Sequence, residues 1–275
     1  MNGTRSRTKR DRRIRRAAMA ALGAAAMTLA ACGSSSGSPT TSTRAVAKLT
    51  GSITVSAASS LTDAFGALAT KFKAAHPSTD IGFNFGSSGT LATQITQGAP
   101  ADVFASASPS DMATVQKAGE VLGTPVTFAR NSLEIVVKPG NPLGIHSLAD
   151  LTKAHVVAIC VSTAPCGSTA ALALKKAHVT IPASKITVGT DVDATFAEVT
   201  TGDADAAIVY VTNAKKVGDQ GVGVPIPSLV NVTTSYPIAV LKSTKNRSLA
   251  LAWVAYVLGP TGQSVLRAAS FLPAH

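Results

Sequence analysis

The stretch that most constrains this chain runs from Ile81 to Phe104. Ile81-Gly82-Phe83-Asn84-Phe85 alternates as a short strand. Gly86-Ser87-Ser88-Gly89 breaks it with small residues suited to opening a helix. Leu91 and Ile95 then carry a helical period, and Gly98-Ala99-Pro100 turns the chain into Val103-Phe104. Strand, small-residue turn and helix in that order present free backbone N–H groups and a positive dipole end, with hydroxyls beside them. That is a seat for an anion. No Lys or Arg lies between Lys73 and Lys117, so an anion held here is held by neutral donors.

The same unit recurs along the chain. Ile53 and Val55 mark a first strand, closed by Ala57-Ala58-Ser59-Ser60 and followed by an amphipathic helix with Leu61, Phe65, Leu68 and Phe72 on one face. Val103 to Ser106 is a strand, and Ser108-Pro109 opens the next helix. Leu133 to Val137 reads as a strand and Ser147 to Leu151 as a short helix. Val156 to Val161 is a buried strand, and Ser162 to Thr169 is a small-residue turn before a helix over 170–177. Ile186 to Val188 is a strand, Asp191-Val192-Asp193 leads into a helix over 194–200, and Ala206 to Tyr210 is a strand. Tyr236 to Leu241 is another, followed by a helix over 248–258 and a last one capped by Pro260-Thr261-Gly262-Gln263. Strands alternating with helices predict an α/β class with mainly parallel sheets, in which ligands sit beyond the carboxyl ends of strands. Taken singly, a Ser-rich turn is a cap, and Tyr210 is a half-buried core aromatic. The functional signal is the repetition of small or hydroxyl residues at several such ends.

The formal charge of +11 is concentrated at the start: residues 1–16 carry a net +7, leaving +4 for the rest. The basic balance therefore does not point to nucleic acid, and aromatics amount to only 4%. An apolar run over 17–31 follows the basic segment and is too short to span a bilayer, which takes roughly 20 residues. Residues 1–31 read as a signal peptide. Leu29-Ala30-Ala31-Cys32 resembles the bacterial lipoprotein box. It predicts lipidation of Cys32, with ordinary cleavage as the other reading, and Arg12-Arg13 and Arg15-Arg16 leave general or twin-arginine export open. Residues 32–47 read as the anchored cysteine and a flexible linker. Cys160 and Cys166 then remain as an even pair in an oxidising compartment, where a short disulfide loop is favoured over redox chemistry.

Enzyme classes find little support. Thr90 stands where a G-x-S-x-G elbow would need glycine, and the five histidines show no triad or metal spacing. There is no phosphate-binding loop and no dinucleotide fingerprint.

Ala57-Ala58-Ser59-Ser60-Leu61-Thr62-Asp63-Ala64, Phe85-Gly86-Ser87-Ser88-Gly89-Thr90-Leu91, Gly98-Ala99-Pro100-Ala101-Asp102-Val103-Phe104, Asn131-Ser132-Leu133, Ile208-Val209-Tyr210 and Tyr236-Pro237-Ile238-Ala239-Val240 appear in this order. Together they resemble the periplasmic molybdate-binding proteins of bacterial ABC importers, from about Gly51 to Leu272. The resemblance implies a two-lobed type II binding-protein fold with two crossover strands, residues 48–128 plus 237–275 forming one lobe and 129–236 the other. It implies an oxyanion, molybdate or tungstate, held by Ser60, Ser88, Cys166, Val192 and Tyr210 without direct cation ligands, and neither catalysis nor cofactor. Cys166 would act through its N–H, with its side chain in the disulfide. Gly89 stands where a serine hydroxyl would otherwise be available.

The implied partners are a permease and its ATPase, with the protein monomeric, outside the cytoplasm and tied to the membrane through Cys32. The physical reading agrees, because molybdate is a fully deprotonated dianion at neutral pH and calls for converging donors only. A sulfate or other oxyanion receptor is the alternative within the class, and a serine hydrolase the alternative outside it.

Overall fold

The computed structural model describes residues 48–275. The signal segment 1–31, the lipidation candidate Cys32 and the linker to residue 47 lie outside the described residues.

The chain opens with β1 (Gly51–Ala58), a single 3₁₀ turn at Ser59–Leu61 and α1 (Thr62–Ala75). Then come β2 (Thr79–Gly86), α2 (Ser88–Thr96), β3 (Val103–Ala105) and α3 (Pro109–Lys117). β1 pairs in parallel with β2 on one side and β3 on the other. Ile53, Val55 and Ala57 point inward by strand alternation, and α1 covers them with Phe65, Leu68 and Phe72, spaced for one helical face.

β4 (Val121–Val137) is one strand of 17 residues, whereas the sequence predicts only its last five. Its first part pairs antiparallel with β9 (Thr233–Leu241), with register shifts between Leu122 and Val126 and between Thr127 and Ala129. Those irregularities break the period-two pattern, and Gly123 and Pro125 hide the strand further.

Between β4 and β9 lie β5 (Val157–Cys160), α4 (Pro165–Lys176), β6 (Ile186–Gly189), α5 (Val192–Thr200), β7 (Ala206–Tyr210), α6 (Val211–Ala214) and β8 (Val222–Pro225). β5 pairs in parallel with β6 and β7, and the far half of β4 pairs antiparallel with β7 and β8. β8 was not expected, since Gly221 and Gly223 leave it almost without an apolar pattern. The expected helix at 147–151 is a 3₁₀ segment at Ala149–Lys153. After β9, α7 (Arg247–Leu258) and α8 (Pro260–Ala268) return to the first half. There Trp253 meets Phe65 and Phe72 edge-on at 5.7 and 5.6 Å.

The strands run in the order β2-β1-β3-β9-β4-β7-β5-β6. Among the described residues four strand pairings are parallel and four antiparallel, so the sheet is mixed rather than mainly parallel as the sequence predicts. The parallel pairs belong to the βαβ units, and every antiparallel pair includes β4 or β9, which cross between the halves. Separate apolar cores lie on the two sides. One contains Val55, Phe65, Phe128, Tyr236 and Trp253; the other contains Ile135, Leu151, Val157, Ile208 and Tyr210. This is the two-lobed α/β arrangement, with β4 and β9 as its two crossover strands.

Candidate functional site

The carboxyl ends of strands from both halves face one small cavity. It is lined by Ser59 and Ser60 after β1, Gly86 to Ser88 at the start of α2, and Ala107 after β3. The other half contributes Ala164 to Cys166 at the start of α4, Asp191 and Val192 at the start of α5, and Tyr210 at the end of β7. All five residues singled out from the sequence are therefore brought together. The cavity is small, about 10 Å³, the scale of one small species rather than a sugar or peptide.

Three helices begin at this cavity. The sequence places the start of α4 at residue 170, but the helix begins five residues earlier, with Pro165 in its first turn. Proline lacks an N–H, so the first donor of α4 is Cys166. α2 starts after Ser87, whose side chain makes no capping bond. In α5, the Asp191 side chain accepts from the N–H groups of Asp193 and Ala194, leaving Val192 as the first-turn donor outside that cap. First-turn N–H groups have no acceptor within their own helix, so Ser88, Cys166 and Val192 offer theirs at a positive dipole end.

The hydroxyls are arranged as donors too. Ser88 is fully buried, and its Oγ accepts the Ala107 N–H at 2.9 Å, which leaves its proton free. Ser60 Oγ contacts the Tyr236 hydroxyl at 2.8 Å. The Tyr210 hydroxyl is buried without a hydrogen-bond partner, and burial holds its pKa well above the usual tyrosine range. An orphan buried phenol on a cavity wall is a donor awaiting an acceptor.

Two glycines set the closeness of the walls. A Cβ at Gly167 would run into the carbonyls of Val161 and Cys160, so only glycine lets α4 start this close to the end of β5. A Cβ at Gly89 would come within 2.6 Å of the Thr163 carbonyl, on the opposite side of the cleft. Cys160 and Cys166 form a disulfide with a Cα–Cα distance of 5.8 Å, which ties the start of α4 to β5.

Among the described residues no Lys or Arg lines the cavity, and Asp191, the one acidic residue there, is occupied in capping α5. Outside the lining, Lys216 bridges the two halves, reaching Asp63 on α1 at 3.0 Å and Asp193 on α5 at 3.3 Å. Burial works against the charge on Lys216, but Asp193 and Asp63 more than offset it and raise its pKa. No histidine lines the cavity, and neither serine hydroxyl meets a general base.

The sequence missed Ala107, whose N–H orients Ser88, and gave Tyr236 no role beyond marking a crossover strand. An alanine in a loop carries no chemical signal, and a tyrosine inside a strand reads as core.

A family described as bacterial extracellular solute-binding protein matches residues 53–272. The chain belongs to that family. It is 41% identical over 247 residues to the molybdate-binding protein ModA of Mycobacterium tuberculosis, covering 88% of this chain and 92% of that protein. It is 33% identical over 233 residues to ModA of Escherichia coli, covering 80% and 89%. Among solved structures, the periplasmic molybdate-binding protein of Azotobacter vinelandii superposes with a TM-score of 0.73 at 21% identity, over 80% of this chain and 98% of that one. The sulfate-binding protein SubI of M. tuberculosis gives 0.72 at 20% identity, over 82% and 87%. These two superpositions share the binding-protein fold with this solute-binding protein.

Proposed function

We infer that this solute-binding protein captures molybdate, or the similarly shaped tungstate, between its two lobes and hands it to an ABC importer. The observation that carries this reading is the cavity itself, where neutral donors converge from both halves and, among the described residues, no cationic side chain or general base joins them. A dianion stripped of water needs many hydrogen bonds to charge, each stronger than a neutral one. The donors assigned to it are the Ser60, Ser88 and Tyr210 hydroxyls and the N–H groups of Cys166 and Val192. Hydrogen phosphate carries a proton that this set would leave without an acceptor. The 41% identity to the mycobacterial molybdate-binding protein supports molybdate over sulfate.

Molybdate is cargo here and not a cofactor, and no reaction is catalysed. The lobes divide at the crossovers, close to residues 48–128 plus 237–275 and 129–236, with the boundary residues Ala129 and Tyr236 packing into the first core. In this reading the chain is a monomer outside the cytoplasm, anchored through lipid on Cys32. A thermal-shift and calorimetry panel of molybdate, tungstate, sulfate and phosphate tests the assignment. Molybdate and tungstate should stabilise the protein most. Stabilisation by sulfate alone would move it to the sulfate receptors.

A further inference from the structure

Of the hydroxyls on the cavity wall, Ser60 is wired from behind by two other side chains. Its Oγ lies 2.8 Å from the hydroxyl of Tyr236, on β9, and that hydroxyl lies 3.4 Å from Asn131 Nδ2, on β4. Nδ2 also donates to Thr212 Oγ1 at 3.0 Å. Asn131 and Tyr236 are fully buried, and Ser60 and Thr212 are 7% exposed. These groups link the first lobe to the second through both crossover strands.

The direction of the chain follows from its inner end. Asn131 Oδ1 accepts the N–H of Ser132 at 3.0 Å, which fixes the amide so that its nitrogen faces Thr212 and Tyr236. An amide nitrogen only donates, so the phenol oxygen accepts there and keeps its own proton for another partner. Burial helps keep that proton in place, raising the Tyr236 pKa against the pull of its bonds to Ser60 and Asn131. Ser60 Oγ is the acceptor within reach. The reverse direction, Ser60 donating to Tyr236, would strand a buried phenol proton, which is costly.

We propose that Asn131 and Tyr236 are positioning residues that turn the Ser60 proton into the cavity, so that Ser60 meets the ligand as a donor and favours a fully deprotonated oxyanion over one carrying a proton. The inference rests on the molybdate reading above. Ser88 is fixed in the same sense by the Ala107 N–H, but a backbone donor cannot be removed by substitution.

The test is calorimetry with molybdate, and separately with inorganic phosphate at about pH 6, where phosphate is protonated. It uses the parent, Tyr236→Phe, Ser60→Ala and the double variant. Tyr236→Phe should weaken molybdate binding about tenfold, the scale of one lost hydrogen bond. It should also narrow the preference for molybdate over phosphate, because the Ser60 hydroxyl, no longer held from behind, can turn to accept from a protonated ligand. In the Ser60→Ala background the Tyr236→Phe effect should vanish. Equal losses in both backgrounds would make Tyr236 a packing residue and overturn the proposal, as would unchanged affinity.

Should Tyr236→Phe fail to fold, proton NMR of the parent carries the same question. The Ser60 hydroxyl proton should exchange slowly only with molybdate bound, and that of Tyr236 slowly in both states. A protected Ser60 hydroxyl without ligand would overturn the direction assigned here. A parent that binds none of the oxyanions would overturn the molybdate reading together with the relay. Binding by the parent with additive variants would overturn the relay alone.

Discussion

At the scale of single residues, Ser60 and Ser88 are the clearest test of the site. Both are buried hydroxyls at the ends of elements in one lobe, and the Oγ of Ser88 already accepts a backbone N–H. Removing a donor to a charged ligand costs roughly 1.5–3 kcal/mol. Ser60→Ala with Ser88→Ala should therefore weaken molybdate binding by about 100-fold or more, measured by calorimetry, with the melting temperature of the free protein changed far less. Parent-like affinity would place the ligand elsewhere. The strand ends that carry the five candidates were legible from repeated small or hydroxyl residues, the five positions themselves came from the family resemblance, and one cavity brings them together. Their orientation was not legible. The accepting role of Ser88 depends on Ala107, and that of Ser60 on Tyr236, partners 19 and 176 residues away in sequence.

At the scale of elements, the start of α4 shows how sequence and geometry divide the information. The spacing of Cys160 and Cys166 made a disulfide loop readable, but the exact first turn was not, because Pro165, Cys166 and Gly167 read as turn residues and are buried as helix. Closing such a loop typically contributes about 2–4 kcal/mol, largely by restricting the unfolded chain. Cys160→Ser with Cys166→Ser should lower the thermal midpoint in non-reducing buffer, while molybdate affinity changes less because the residue-166 N–H remains. Two free thiols in non-reduced peptide mass spectra of the exported protein would contradict the bond.

Gly89 makes a second prediction. Its missing Cβ lets α2 approach the Thr163 carbonyl across the cleft. Gly89→Ala should cost roughly 1–3 kcal/mol only when the lobes meet, the usual range for overpacking. It should weaken molybdate binding without lowering the thermal midpoint of the free protein. A parent-like dissociation constant would show that the walls yield. β4 was half hidden for a related reason, since a strand whose register shifts against β9 is specified by its partner more than by its own alternation.

At the scale of the whole molecule, the donors are split between halves that β4 and β9 connect. An anion gripped by both favours the arrangement in which they meet, and shifts the balance only by that difference in contacts. Small-angle scattering of the tether-free protein should show a smaller radius of gyration with molybdate than without. An unchanged value at saturation would remove the hinge from the account. The α/β class was legible from the alternation of elements, whereas the meeting of Lys216 with Asp63 and Asp193 was not, since no local pattern joins residues so far apart.

The neutrality of the cavity has a consequence for unloading. Hydroxyl and amide donors keep their protons through the neutral range, and Tyr210 is held further from ionisation by its burial. Mild acid or alkali therefore leaves these hydroxyl and amide donors unchanged. In the molybdate reading, release then calls for the walls to be drawn apart, and that work would come from the importer.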